Sequence, residues 1–259
     1  MRVISLGWGV QSFALAAMSA LGELPPVDVA IHADTTHERT ETYQFAAKWT
    51  PWLEERGIKV VTVSASETQT NPIVGRTPPL YTLSPTGDGG KLFRTCTHRW
   101  KVLPQERWIR KELRQRGIER KDWHVEKWYG ITLDEWTRMR DSDVAYITNR
   151  YPFMEMEPKM RRSDVVRWLL NNDIDVPVKS ACVFCPFHSR EAWRELKHGE
   201  NGDWVRAVNM DYALRHRRPG YLCYVCNARE PLDRVDLRNE QDHGQLELWG
   251  EECTGNCFL

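Results

Sequence analysis

Short apolar runs alternate with longer amphipathic segments over the first part of the chain. The runs at 2–5, 27–32 and 59–63 are rich in Val and Ile, whereas 11–21 and 40–56 space their apolar residues at helical intervals. Strands bury such short runs and helices present one apolar face, so the pattern predicts strands alternating with helices. This order is typical of an α/β fold, with a mostly parallel five- or six-stranded sheet flanked by helices.

The alternation of strand and helix patterns stops after the third predicted strand. Residues 66–91 are rich in Pro and Gly, and we interpret them as a long loop. A helix is predicted at 105–116, a strand at 123–131, and an interrupted helix at 194–216. We therefore expect an α/β domain over residues 1–175 and a cysteine-bearing C-terminal region, 176–259, packed on it.

Composition limits the class of protein. The 259 residues are 41% hydrophobic, enough for a sizeable core, and 36 basic side chains balance 36 acidic ones. No apolar run reaches the roughly 18 residues of a membrane helix, and the first residues lack a signal peptide's apolar stretch, so we expect a cytoplasmic protein. Residues 91–120 carry ten Lys or Arg against three Asp or Glu. Such a segment can attract phosphates, although a helical face exposed to solvent would show the same excess of basic residues.

A glycine-containing turn joins the first strand to the first helix. Gly7 and Gly9 let the backbone approach a ligand closely, and the helix N-terminus and the Ser12 hydroxyl favour an anion. Ligands of open α/β sheets bind where this turn falls, at the carboxyl ends of strands. The candidate phosphate-binding residues are Ser5, Gly7, Trp8, Gly9, Val10, Gln11 and Ser12. Asp34 and Thr35 follow the second strand and can reach a ligand from the neighbouring strand end.

Six of the seven cysteines fall into pairs along the chain, and Cys96 stands alone. A reducing compartment argues against a disulfide framework, so clustered cysteines indicate metal ligands or redox thiols. Cys182 and Cys185 form a CxxC pair, and thiolates spaced in this way suit iron or zinc. Cys223 and Cys226, with Cys253 and Cys257, would instead suit a separate zinc ion. Alternatively, Cys223 and Cys226 are small buried core residues.

Several motifs together resemble one enzyme branch. The glycine turn resembles the SGGxDS phosphate loop (PP-loop) of the N-type ATP pyrophosphatases. Later segments resemble the phosphoadenosine phosphosulfate (PAPS) reductase branch of that superfamily, and the resemblance covers about residues 1–190. These segments are Asp34-Thr35 with Glu41-Thr42, Arg94-Thr95-Cys96 with Lys101 and Pro104, Gly130-Ile131 with Asp134-Glu135 and Arg138, Tyr151-Pro152, and Cys182 to Pro186.

The chain also departs from the family pattern. Gly7 stands where the loop has its first Ser, Trp8 replaces a Gly and Gln11 replaces the Asp. The tail carries Cys253 and Cys257 in place of the reductases' Glu-Cys-Gly-Leu-His ending.

The resemblance implies an adenine nucleotide, ATP or a relative, on the glycine loop. It also implies a [4Fe–4S] cluster on Cys96, Cys182 and Cys185. The fourth ligand is Cys253 or Cys257, of which we take Cys257, or one iron keeps an open site; zinc is the alternative metal. Arg94, Gly130 and Arg138 join the nucleotide-binding residues. The expected catalytic residues are Cys96, Lys101 and Cys253.

Three functions are compatible with these features. The first is an ATP-dependent iron–sulfur sulfurtransferase that adenylates an acceptor such as tRNA or DNA and then takes sulfur from a donor. The second is a PAPS or APS (adenosine phosphosulfate) reductase, in which Cys253 attacks the sulfur and thioredoxin releases sulfite. The third is a non-catalytic, metal-stabilised module that binds nucleic acid or a protein. None of them involves a membrane, and the oligomeric state is open, a homodimer included.

Overall fold

The first apolar run forms the central strand of a five-stranded sheet. The computed structural model describes residues 1–64 and 78–238, which fall into two compact units. The first unit comprises residues 1–64 and 98–180, and the second comprises 78–97 and 181–238. The strands are β1 (Arg2–Leu6), β2 (Val29–Asp34), β3 (Lys59–Ser64), β4 (Tyr81–Leu83), β5 (Gly89–Lys91), β6 (Val125–Trp128), β7 (Ile147–Arg150) and β8 (Leu222–Tyr224).

Helices cover both faces of this sheet and fill much of the second unit. The helices are α1 (Val10–Ala20), α2 (Thr40–Glu55), α3 (Leu103–Gln115), α4 (Pro152–Glu155), α5 (Arg162–Asn171), α6 (Arg190–His198) and α7 (Asp203–Ala213). A π-helical turn, Thr97–Val102, runs directly into α3. No helix among the described residues is both long and apolar enough to span a bilayer.

The sheet of the first unit is entirely parallel, in the order β3-β2-β1-β6-β7. The predicted fold class is therefore confirmed, with five strands. The chain builds outward from β1 to β3 and then returns to the other side of β1 with β6. The carboxyl ends of β1 and β6 consequently form the topological switch point, where open α/β sheets bind ligands.

Side chains alternate between the two faces of β1, because successive residues of a strand point to opposite sides. Ile4 packs with the α1 face, in a core that includes Phe13 and Leu169. Val3 packs on the opposite face with Ile109 and Leu113 of α3. The pleat thus fixes α1 on one side of the sheet and α3 on the other.

The second unit contains a small antiparallel sheet in the order β5-β4-β8. Two of its strands lie within the stretch that the sequence predicts to be a loop. Each strand has only three residues, too few to establish a period-two pattern. Asp211 anchors this unit from within, since its buried carboxylate accepts hydrogen bonds from the backbone N–H groups of Val225 and Leu232 and pairs with Arg215.

The division into units differs from the expected boundary at residue 175. The chain passes from the first unit to the second at 180–181, and residues 78–97 belong with the C-terminal part. Two stretches lie outside the described residues. They are residues 65–77, which include the start of the predicted loop, and the tail from 239 onward with Cys253 and Cys257.

Candidate functional site

The glycine loop between β1 and α1 is closed by its own serine. The Gly7 N–H donates to Ser12 Oγ at 3.0 Å, and the Ser12 hydroxyl in turn donates to the Gly9 carbonyl at 3.3 Å. The hydroxyl predicted to bind a phosphate is therefore engaged in holding the turn. It stabilises the loop that brings the backbone amides to a ligand.

The N-terminus of α1 supplies those amides. Gly9 is the N-cap, with extended backbone at φ −91°, and no side chain caps the helix. The first N–H groups of a helix have no intrahelical carbonyl partner, so those of Val10, Gln11 and Ser12 are open to another acceptor. The helix dipole adds partial positive charge at this end, which favours a phosphate.

Gly130 holds the other side of the loop. It follows β6 at the switch point, and a Cβ placed on it would lie 2.6 Å from the carbonyl carbon of Gln11 and 2.8 Å from the nitrogen of Ser12. These are backbone atoms, so no side-chain rotation could relieve the contact. The absence of a side chain at Gly130 is what lets the loop after β6 lie against the loop after β1.

Trp8 contributes to the core. Its side chain is 2% exposed and its ring packs 6.0 Å from Phe13 and 6.3 Å from both His32 and Phe45. Its φ is +57°, in the left-handed region that favours glycine. The Trp8 side chain therefore serves the core, although the sequence prediction made Trp8 a nucleotide-binding residue.

A buried ion pair lies close to the loop. Lys101 Nζ donates to Glu38 Oε1 at 2.9 Å; the Glu38 side chain is fully buried and that of Lys101 is 36% exposed. Thr35 donates its hydroxyl to the same carboxylate, and Ser180 donates to the other carboxylate oxygen at 3.4 Å. Glu38 therefore holds Lys101 in place, and the Lys101 side chain as a whole is partly exposed.

Ser180 connects this ion pair to the glycine loop. A Cβ placed on Gly9 would lie 3.6 Å from the Ser180 Cβ, which is ordinary van der Waals contact. Lys101 itself comes from the π-helical turn before α3, and such turns are frequent at functional sites. The structure thus brings Gly9, Ser180, Glu38 and Lys101 into one cluster.

Glu38 and Ser180 were not predicted as site residues from the sequence. Glu38 stands only three residues after Thr35, among the polar residues that follow β2, and that position was its one local signal. Ser180 has none, because its role depends on contacts with residues more than 140 positions away.

Asp34 shapes the loop after β2. Its carboxylate accepts the Thr36 N–H at 2.7 Å and the Tyr43 hydroxyl at 2.8 Å. Burial and the neighbouring carboxylate raise the pKa of Tyr43. Thr35 is fully buried and bonded to Glu38. Both predicted nucleotide contacts thus organise a turn at the expected edge of the sheet.

Ser5 faces α3, away from the glycine loop's open amides. Its hydroxyl donates to Gln105 Oε1 at 3.1 Å, and the Gln105 amide donates to the Ile31 carbonyl. Together these bonds attach the start of α3 to β1 and β2. Ser5 therefore stabilises the sheet edge that carries the site.

Lys127 is a buried amine on β6, two strand positions after Val125. Its side chain is 1% exposed, and its Nζ has no hydrogen-bond partner among the residues the structure describes. The Tyr129 ring lies 5.3 Å from this nitrogen. Burial lowers the pKa of Lys127 to about 8, and the Glu106 carboxylate offsets part of that effect.

Replacing Lys127 with methionine is expected to stabilise the protein at pH 7 by about 1–3 kcal/mol, because charging this buried amine costs roughly 3 kcal/mol. The unfolded chain keeps the proton up to the ordinary pKa of 10.5, and the folded chain only up to about 8. Between these two pH values the unfolded state binds more protons than the folded state. The free energy of unfolding of the wild type should therefore rise as the pH rises through this range. Urea unfolding between about pH 7 and pH 10 checks this. A less stable methionine variant, with the pH dependence retained, would contradict it.

Two further predicted contacts lie on exposed chain. Arg138 ends a short 3₁₀ turn, Leu133–Arg138, and pairs with Glu135 at 2.6 Å. Arg94 belongs to the second unit, where it donates to Thr97 at 2.9 Å. Neither observation tests a role in nucleotide binding, which stays a prediction for both.

The predicted cluster ligands Cys96, Cys182 and Cys185 all belong to the second unit and are partly exposed. Cys182 and Cys185 enclose a tight turn, in which the Cys185 N–H donates to the Cys182 carbonyl at 2.9 Å. Within residues 1–64 and 78–238, however, no three His, Cys, Asp or Glu side chains come together as potential metal ligands. Cys257 lies outside those ranges. The described donors alone do not make a cluster site.

Cys223 and Cys226 are buried in the second unit. Burial raises the pKa of the Cys226 thiol, which favours the protonated form over a thiolate ligand. These two residues pack as small apolar side chains. Their predicted zinc partners, Cys253 and Cys257, lie in the undescribed tail.

A cavity of about 490 Å³ opens at the opposite, amino-terminal edge of the sheet. Its charged groups are already paired, since Asp28 accepts the Arg2 N–H and Glu126 pairs with the Arg2 guanidinium. The chemistry-bearing residues at the carboxyl edge therefore make the better candidate site.

No family model matches the chain, and no curated protein matches it either. Among solved structures, the chain is similar to the PAPS reductase from Candida auris in its phosphate complex. The two share 13% identity over 68% of this chain and 74% of that one, with a TM-score of 0.41. A match at that level carries no argument about this chain. Its mostly parallel α/β fold is established by the order and direction of its own strands.

Proposed function

We propose that this chain is a PAPS reductase-like enzyme that binds ATP on the loop from Gly7 to Ser12 and transfers its adenylyl group to an acceptor. The observation that carries the proposal is the close contact of Gly130 with the loop backbone at the switch point of the sheet. That contact aligns open amides where nucleotides bind in such folds. The order of the sequence motifs supports an adenine nucleotide as the ligand.

Lys101 supplies the positive charge that the reaction requires. An acceptor oxygen attacks the α-phosphorus, the bond to the β-phosphate oxygen breaks, and pyrophosphate leaves. A cation beside the phosphates stabilises the negative charge that develops on them. The buried Glu38 carboxylate holds Lys101 for this role. The ion pair also restricts the conformations of the long lysine side chain.

We further propose that the adenylated acceptor is nucleic acid and that sulfur then replaces the activated oxygen, which leaves with AMP. A separate donor supplies the sulfur. The basic surplus at 91–120 supports a polyanionic acceptor.

The test is pyrophosphate release from ATP, measured with tRNA or DNA present. Lys101→Met should lower the rate by at least about 100-fold, equivalent to roughly 2.7 kcal/mol of transition-state stabilisation. Since it also removes the ammonium partner of buried Glu38, it should cost about 3 kcal/mol of stability. The double variant Glu38→Gln with Lys101→Met should recover stability and remain inactive. That separates the missing cation from misfolding.

Lys111→Met is the matched control, because Lys111 lies on the exposed face of α3. It should keep wild-type activity. Wild-type turnover in the Lys101 variant would refute the catalytic role. Sulfite release from PAPS with thioredoxin, without pyrophosphate release from ATP, would identify a reductase instead. Nucleic-acid binding with neither activity would identify a non-catalytic module.

A further inference from the structure

A cluster of cations and aromatic rings lies on the second unit, with three of its members exposed and three half-buried. We name it the Tyr81 surface, and its members are Tyr81, Lys91, Phe93, Arg94, Phe187 and Arg229. Tyr81 and Lys91 lie directly opposite each other on β4 and β5, with the Lys91 ammonium 4.7 Å from the centre of the Tyr81 ring. The same ammonium lies 4.0 Å from the centre of the Phe187 ring.

Two arginines complete the charge. The Arg94 guanidinium lies 5.0 Å from the centre of the Phe187 ring, and the Arg229 guanidinium lies 5.9 Å from that of Tyr81. Arg229 is held in place by donating to the Thr82 carbonyl at 3.3 Å. Among the residues the structure describes, none of these three cations pairs with a carboxylate. The surface thus presents three positive charges whose counter-ions are not supplied by the described chain.

Phe93 adds an exposed ring next to Arg94 in the chain and two residues after Lys91. It follows β5 and its side chain is 93% exposed, more than any other large apolar residue described. An aromatic ring this exposed contributes almost nothing to folding, because it buries almost no area. It can, however, stack on a planar group from a ligand.

We propose that the Tyr81 surface binds single-stranded nucleic acid. Proteins that bind single strands combine cations that contact the phosphates with aromatic rings on which the bases stack. A lipid membrane would require a broad apolar face, and a protein partner an apolar centre, whereas Phe93 is a single exposed ring. A regular duplex would hide its base faces from that ring.

The position of this surface also suggests which acceptor the enzyme modifies. Phe187 comes two residues after Cys185, and the Tyr81 hydroxyl donates to the Pro186 carbonyl between them at 3.4 Å. A strand held here would lie beside the Cys182–Cys185 turn. Its assignment as the acceptor rests on the proposed function, but the binding itself does not.

The experiment uses the full chain and a labelled single-stranded oligonucleotide of roughly 15 nucleotides, with binding followed by fluorescence anisotropy. Replacing Lys91, Arg94 and Arg229 together with glutamine should weaken binding by at least about tenfold. The wild-type dependence of log affinity on log salt should have a slope of about −2, as expected for three phosphate contacts on a single strand, and the triple variant should lose most of it. Phe93→Ala should weaken binding by roughly fivefold to a hundredfold and leave the salt slope unchanged.

The matched control replaces Lys197, Arg218 and Arg234, three exposed cations elsewhere on the same unit, with glutamine. It removes the same charge and should bind like the wild type. Equal loss in both triple variants, or no loss with Phe93→Ala, would overturn the assignment. So would binding of phosphatidylserine vesicles without binding of the oligonucleotide.

Failure of this inference and failure of the proposed function are distinguishable. The double variant Lys91→Gln with Arg229→Gln, which leaves Arg94 in place, should keep its affinity for ATP, because neither residue is among those predicted to bind the nucleotide. Lys101→Met should keep its affinity for the oligonucleotide. Oligonucleotide binding that depends on Lys101 and not on the Tyr81 surface would contradict the proposed location.

Discussion

Replacing Gly130 with alanine is expected to lower the affinity for ATP by at least about 100-fold, equivalent to roughly 2.7 kcal/mol of binding free energy. The new Cβ would lie 2.6 Å from the Gln11 carbonyl carbon and 2.8 Å from the Ser12 nitrogen, so the loop backbone must move. The amides of α1 would then no longer converge on the phosphates. Isothermal titration calorimetry with ATP measures the loss directly.

A glycine outside the site provides the control. Gly57 lies in the turn between α2 and β3 at φ +82°, with open space around its Cβ position. Gly57→Ala should cost about 1 kcal/mol of stability, from backbone strain alone, and leave ATP affinity unchanged. Wild-type affinity in Gly130→Ala would show that the packing of these two loops does not shape the nucleotide site.

Replacing Trp8 with alanine is expected to lower the free energy of unfolding by about 3–5 kcal/mol. The indole packs against Phe13 and Phe45, and its removal leaves a cavity in this aromatic part of the core. Loss of this packing also loosens the loop whose turn Trp8 forms. Chemical denaturation gives the size of the effect.

Backbone strain at this residue makes a second, sharper comparison. Because Trp8 has φ +57°, Trp8→Gly should be about 1 kcal/mol more stable than Trp8→Ala, although it removes one more carbon atom. Trp136→Ala, at a side chain 60% exposed, should change stability by no more than about 0.5 kcal/mol. An alanine variant more stable than the glycine variant would contradict the left-handed conformation.

Sequence alone predicted the sheet well because its signals are local. The runs that became β1, β2, β3 and β6 carry β-branched or aromatic residues between clear breaks, and each was placed to within a few residues. The short strands β4 and β5 were missed, since glycine and proline are frequent in their stretch, and β7 and β8 were not predicted either. The position of the glycine loop also followed from local order, because a strand that precedes a glycine turn and a helix directs that turn to the carboxyl edge.

The internal structure of the site was not predictable in the same way. The sequence suggested that Ser12 offers its hydroxyl to a ligand, whereas the hydroxyl closes the loop. It placed Trp8 among the phosphate-binding residues, whereas the indole lies in the core. Glu38 and Ser180 came together only through folding, since no pattern within one segment records a contact across 142 positions.

The central claim is that the backbone from Gly9 to Ser12 receives the phosphates of an adenine nucleotide. The most direct test is to titrate the isotope-labelled chain with ATP and follow each backbone amide by nuclear magnetic resonance. We expect the largest chemical-shift changes at the amides of Val10, Gln11 and Ser12. These changes should saturate with the dissociation constant found by calorimetry. ATP binding that leaves these three amides unchanged would contradict it.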